Sequence, residues 1–140
     1  RQTGRAAADA LAPLFDDAAE WPAAEFWRRL ADLLARRGWG TLEHEDPHPG
    51  VGALDSPDWS EADPSAGAHR PSCFFTTGLL ASLLGRIAGD DADIGVLEVE
   101  CRSRGDLRCR FLFGAHAALE RVHHAVAAGR DAATALAELA

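Results

Sequence analysis

The segment DIGVLEVECRSRGDLRCRFLF, residues 93–113, decides how this chain folds. Asp93 to Cys101 alternates with Val and Ile content, Leu107 to Phe113 alternates again, and Arg104-Gly105-Asp106 between them are turn residues. A period of two places alternate side chains on opposite faces of a sheet, so the pattern predicts a β-hairpin. Cys101 and Cys109 lie four residues either side of Gly105. A three-residue turn at 104–106 sets them opposite one another, with Cβ atoms about 4.5 to 5.5 Å apart.

Two thiols so placed suit a shared metal better than a disulfide between neighbouring strands. Cys73, at the start of a helical pattern, offers a third ligand, and Glu98 is the natural fourth. Three thiolates and a carboxylate fill a tetrahedral Zn²⁺ and leave no position open to water or substrate, so such a zinc is structural. Strict alternation would send Glu98 and Cys101 to opposite faces, and the site therefore requires a bulge or an early end to the strand. The competing reading is that the thiols simply fill a core, since free cysteine is among the most buried residue types. Three cysteines are an odd count for a disulfide framework, which points to reduced thiols or a metal and to the cytoplasm.

Working outward, the run from Cys73 to Ala88 is apolar nearly all round, with Phe74, Phe75, Leu79, Leu80, Leu83, Leu84 and Ile87. A helix without a polar face is buried on most sides. Gly78, Ala81, Ser82 and Gly85 leave room for another element to approach it. Further upstream, Phe26, Leu30, Leu33 and Leu34 follow Pro22 at helical spacing, Asp32 can meet Arg36, and Gly38 closes the helix. The Ala-rich stretch from Gly4 to Glu20 reads as a helix divided near Pro13. Short strands are expected at Trp39 to Glu43 and Gly52 to Asp55, in a Pro- and Gly-rich acidic region. After Gly114, Leu119, Val122 and Val126 mark a helix that Gly129 stops, and Asp131 can cap a last short one. The fold class is thus α/β (α+β): two N-terminal helices, a small antiparallel sheet, a central buried helix, a hairpin and C-terminal helices.

At roughly 150 residues per domain, 140 residues make a single domain, 1–140. Fourteen arginines and no lysine face 22 acidic residues, and the net charge of -8 repels phosphate backbones, which excludes a general nucleic-acid grip. No run approaches the ~18 apolar residues of a membrane span. The chain begins at Arg1 rather than Met, which leaves room for a segment or output domain upstream. No catalytic residue is assigned: there is no Gly-rich phosphate loop, serine nucleophile motif or clear carboxylate pair, and the balance falls against an enzyme. Four tryptophans and six phenylalanines are available for an apolar pocket, and Trp39, Trp59, Phe74 and Phe75 are the candidate ligand-binding residues. For any one of them a core role competes. His44 and His48, between Pro47 and Pro49 and beside acidic residues, read as a solvated loop rather than a second metal site. The adjacent His123 and His124 read as partly exposed helix residues at a dimer contact.

Pro71, Cys73, Gly78, Glu98 with two residues to Cys101, Gly105-Asp106, Cys109 and Phe111 together resemble the vinyl-4-reductase domain family, most strongly over residues 71–113. That resemblance implies an α/β fold similar to a vesicle-tethering subunit and to haem-type nitric-oxide sensor domains. It implies binding of a small hydrophobic or aromatic molecule, often as a homodimer, and zinc ligation by Cys73, Glu98, Cys101 and Cys109 beside the ligand pocket. Some family members sense effectors for aromatic-responsive transcription activators, so the expected role is a sensor or carrier domain acting on an attached output domain or protein partner. The alternative suggested by the family name is a reductase or accessory factor for the vinyl group of a chlorophyll-type tetrapyrrole, although no dinucleotide fingerprint is present.

Overall fold

The computed structural model of the chain describes residues 4–89 and 91–139. The first helix, α1 (Arg5–Leu11), passes into 3-10 turns at Ala12–Phe15 and Ala18–Glu20, the division expected from Pro13. Helix α2 (Ala23–Arg36) then buries Leu30 and Leu34. Glu25 pairs with Arg28 and Arg29, and Asp32 with Arg36, on its outer side. Exposed pairs of this kind contribute little. Each buried leucine contributes about 1.5–3 kcal/mol, and this burial sets the orientation of α2.

Four antiparallel strands form one sheet in the order β1-β2-β4-β3: β1 (Glu43–His48), β2 (Val51–Ser56), β3 (Gly95–Glu100) and β4 (Cys109–Gly114). The connection from β2 to β3 carries α3 (Phe74–Ala88), and two helices follow the sheet, α4 (His116–Ala127) and α5 (Ala132–Ala137). Alternation along β4 divides the core into two layers. Cys109 and Phe111 join Leu54 of β2 in a layer with α1, α2 and α3. Leu112 joins Ala53, Val51 and Val99 in a layer with Leu119, Val122 and Leu136 of the last two helices. Asp131 caps α5 by accepting the Thr134 N–H at 2.7 Å, as its position predicts.

The small residues of α3 do admit a close neighbour. At Gly4 a Cβ would sit 2.5 Å from the Leu79 backbone nitrogen, and the residue holds φ 83, so only glycine permits this approach of α1 to α3. Asp9 and Arg86 pair across the same contact.

The first strand lies further along than Trp39 to Glu43. The Trp39 carbonyl accepts the Ser60 N–H at 2.8 Å and the Thr41 N–H donates to Asp58 at 2.8 Å, so this stretch is tied to the 58–60 loop and the ladder starts at Glu43. His44 and His48 are consequently strand residues, not loop residues. An edge strand tolerates Pro47, where the register shifts between Glu45 and His48. His44 stacks on Trp27 with ring centroids 4.4 Å apart, and His48 Nδ1 accepts the Gly50 N–H at 3.0 Å. Across the middle strands the buried Arg110 pairs with Asp55 and Glu45, each at 2.9 Å. Burial pushes the Asp55 carboxyl above its ordinary range despite this pairing.

Candidate metal centre

The first turn of α3 exposes backbone donors that no residue of its own can satisfy. Two carboxylates from outside the helix take them. Glu98 Oε1 accepts the Cys73 N–H at 2.9 Å, Glu61 Oε2 accepts the Phe75 N–H at 2.8 Å, and Glu61 Oε1 accepts the Thr76 N–H at 2.9 Å. The Thr76 hydroxyl donates to the same Glu61 oxygen at 2.5 Å and accepts the Trp59 indole N–H at 2.7 Å. Negative charge at a helix N-terminus is favoured by the helix dipole. The result is that Cys73 is held at one place and angle against the sheet.

On the hairpin, Glu98 pairs with Phe111 and Glu100 with Arg110, two steps along β3 for one along β4. Val99 is the extra residue of a β-bulge. The bulge removes the conflict of alternation and lets Glu98 and Cys101 serve the same side. The ladder ends at the Glu100–Arg110 pair, with Cys101 and Cys109 next in register at its mouth. The turn between them is longer than three residues: a 3-10 turn at Arg102–Arg104 ends in Gly105 at φ 101. Asp106 closes it by accepting the Cys101 N–H at 2.8 Å, and the Arg104 guanidinium clamps Asp106 at 2.7 Å and the Val99 carbonyl at 2.9 Å. The Arg102 N–H donates to Cys109 Sγ at 3.5 Å.

These elements bring one ligand atom from each of Cys73, Glu98, Cys101 and Cys109 within 4.8 Å of one another. Cys73 Sγ and Cys101 Sγ are 3.8 Å apart. Two sulfurs bound at about 2.3 Å and a tetrahedral angle stand ~3.8 Å apart, so the spacing fits zinc. None of the three cysteines is in a disulfide and all are buried. Glu98 is only 8% exposed, yet its Oε2 is buried without a hydrogen-bond partner. An orphaned carboxylate oxygen in such a place is costly, and a cation is the partner that would satisfy it. Hydrogen bonding to Cys109, followed by burial and the Glu98 charge, pushes the Cys73 thiol far up. The same bond lowers Cys109, while burial raises Glu98. Four ionisable groups this close cannot all be anionic unless a cation lies among them.

The aromatic candidates separate into two places. Trp59 is fully buried. Trp39 stacks on Phe75 with centroids 5.3 Å apart and lies 6.1 Å from Trp59, which meets Phe111 edge-on. Phe74 leaves this group and is 65% exposed on the outer side of α3.

Compared with known families, residues 60–115 align with one family model. That family is the vinyl-4-reductase domain. The matched segment contains all four members of the cysteine and glutamate cluster, and with it the resemblance read over residues 71–113 is borne out. A crystal structure of a vinyl-4-reductase family protein from Methanocaldococcus jannaschii superposes with a TM-score of 0.50 at 23% identity, over 61% of this chain and 55% of that one. The match spans about half of that protein's length, and at this identity the likeness is one of fold. No curated protein matches the chain. Among the described residues no helix is long and apolar enough to cross a membrane.

Glu61 and Thr76 are the functional residues that sequence reading did not assign. A threonine inside an otherwise apolar helix signals a buried polar partner. The identity of that partner, 15 residues upstream, is not encoded in any local pattern.

Proposed function

We propose that the chain is a sensor or carrier domain for a small apolar or aromatic molecule, stapled by one structural zinc on Cys73, Glu98, Cys101 and Cys109. The single observation that carries the metal half is the convergence of three buried thiols and a carboxylate with an unpartnered oxygen. All four positions are taken by protein, so the ion joins α3 to the hairpin and takes no part in chemistry. The vinyl-4-reductase domain match over the same residues supports the ligand-binding half. Residues 1–140 act as one cytoplasmic domain, paired as a homodimer, and the bound molecule shifts the population of states presented to an attached output domain or partner.

Elemental analysis of protein purified without chelator or nickel tests the zinc, with one ion per chain expected and none overturning it. A thermal-shift screen of apolar and aromatic compounds tests the ligand, because a molecule that binds only the folded state raises the melting temperature. A screen without a single positive shift removes the sensor reading. Sedimentation showing only monomer at micromolar concentration removes the dimer.

A further inference from the structure

A groove of about 650 Å³ runs along the free edge of β3, between the first turn of α3 and the C-terminal part of α4. Its size lies within the range of small-molecule sites, about 300 to 1,000 Å³. Val96 and Val99 of β3 and Val126 and Ala127 of α4 give it an apolar lining, and Phe74 lines it at the α3 end. Phe74 is one of the few large apolar side chains left exposed among the described residues.

The polar groups of the groove are unevenly committed. Arg104 is already engaged by Asp106 and the Val99 carbonyl. Glu98 reaches the lining, but its Oε1 is bonded to the Cys73 amide. Arg70, His69 and His123 line the same space, and their side chains form no hydrogen bond or ion pair with any described residue. An arginine that faces apolar surface without a partner offers a planar fork of donors matched to a carboxylate. In a chain of net charge -8, this local arrangement is complementary to an anion rather than a cation.

We propose that this groove binds an apolar carboxylate, with its aromatic or aliphatic body on Phe74, Val96 and Val126 and its head on the Arg70 guanidinium. His69 and His123 supply further hydrogen bonds to the head. The inference rests on the small-molecule reading above and adds to it a place and a charge class. A neutral molecule of the same shape buries the same apolar area but leaves Arg70 unpaired, so the site discriminates by charge.

Isothermal titration of the zinc-loaded protein with 4-phenylbutyrate and with 4-phenylbutan-1-ol tests this, since the two share one body and differ in the head. The acid is expected to bind at least ~10-fold tighter, a difference of about 1.4 kcal/mol. Arg70→Gln should erase that preference, and Ala127→Trp, which fills the groove from an exposed position, should abolish binding of both. Melting temperature and zinc content should stay at parental values in both variants. Equal affinity for acid and alcohol overturns the carboxylate inference and leaves the small-molecule reading intact. Binding that Ala127→Trp does not disturb overturns the location. Failure of both probes removes this groove as a ligand site, and the broader reading then stands or falls on the thermal-shift screen.

Discussion

Glu98 accepts the backbone N–H of Cys73 at 2.9 Å, so strand β3 and the first turn of α3 are joined through one carboxylate oxygen while the other is left without a partner. The donor set is thereby pre-positioned in the folded chain, and a metal ion would be satisfying a buried group as well as cross-linking two elements.

Removing a thiol should therefore cost both metal and fold. Cys101→Ala and Cys109→Ser are expected to bind no zinc and to lose about 4 kcal/mol of stability or more, because binding to a structural site is coupled to folding. Denaturation with and without a chelator checks this. The parent protein should fall to the level of the variants when the metal is withdrawn, and unchanged melting in both variants contradicts a structural ion.

Glu61 acts on the cluster indirectly, by holding the turn that carries Cys73. Glu61→Ala should cost about 1–2 kcal/mol as a lost helix cap. It should also weaken zinc affinity by ~10-fold, in the range of outer-shell substitutions. Competition with a chromogenic chelator measures the second effect, and full parental affinity would limit Glu61 to a capping role.

Trp59→Phe keeps most of the buried ring but removes the indole N–H that donates to Thr76. The Thr76 hydroxyl keeps its bond to Glu61, so the expected loss is about 1–2 kcal/mol rather than the larger cost of truncation. A urea midpoint equal to the parent's would show that this bond adds nothing.

The pH dependence has a definite sign at Asp58. The Thr41 N–H, then its hydroxyl, hold the Asp58 carboxyl below its ordinary range. A carboxylate with a lowered folded pKa contributes stability that is full above its unfolded value of about 3.9 and is lost as pH falls through the folded value. Asp58→Ala should be less stable than the parent at about pH 6, and the gap should narrow below about pH 4. Urea titrations of the pair at both ends of this window give the comparison, and a constant gap would contradict it.

Much of the architecture was legible from local pattern. The apolar run of α3, the i, i+4 spacing of Leu30 and Leu34 and the alternation either side of Gly105 each carry their own period, and the structure has a helix or strand at every one. The first strand was displaced because Trp39 and Thr41 bond to the 58–60 loop, a contact that outweighs their strand propensity. Phe74 and Phe75, adjacent in sequence, went to opposite environments, since neighbouring helical residues point about 100° apart and only the packed sheet determines which one is covered.

The sequence by itself determined the elements, the two faces of the hairpin and the chemical identity of the four donors, because periodicity and residue type are local properties. The tertiary structure alone decided that Val99 bulges to bring Glu98 and Cys101 to one side, that Glu61 reaches α3, and that Arg70 and His123 face one groove. These depend on how loops close over long separations, where many closures cost nearly the same chain entropy and the choice among them is made by packing and hydrogen bonding in the finished core.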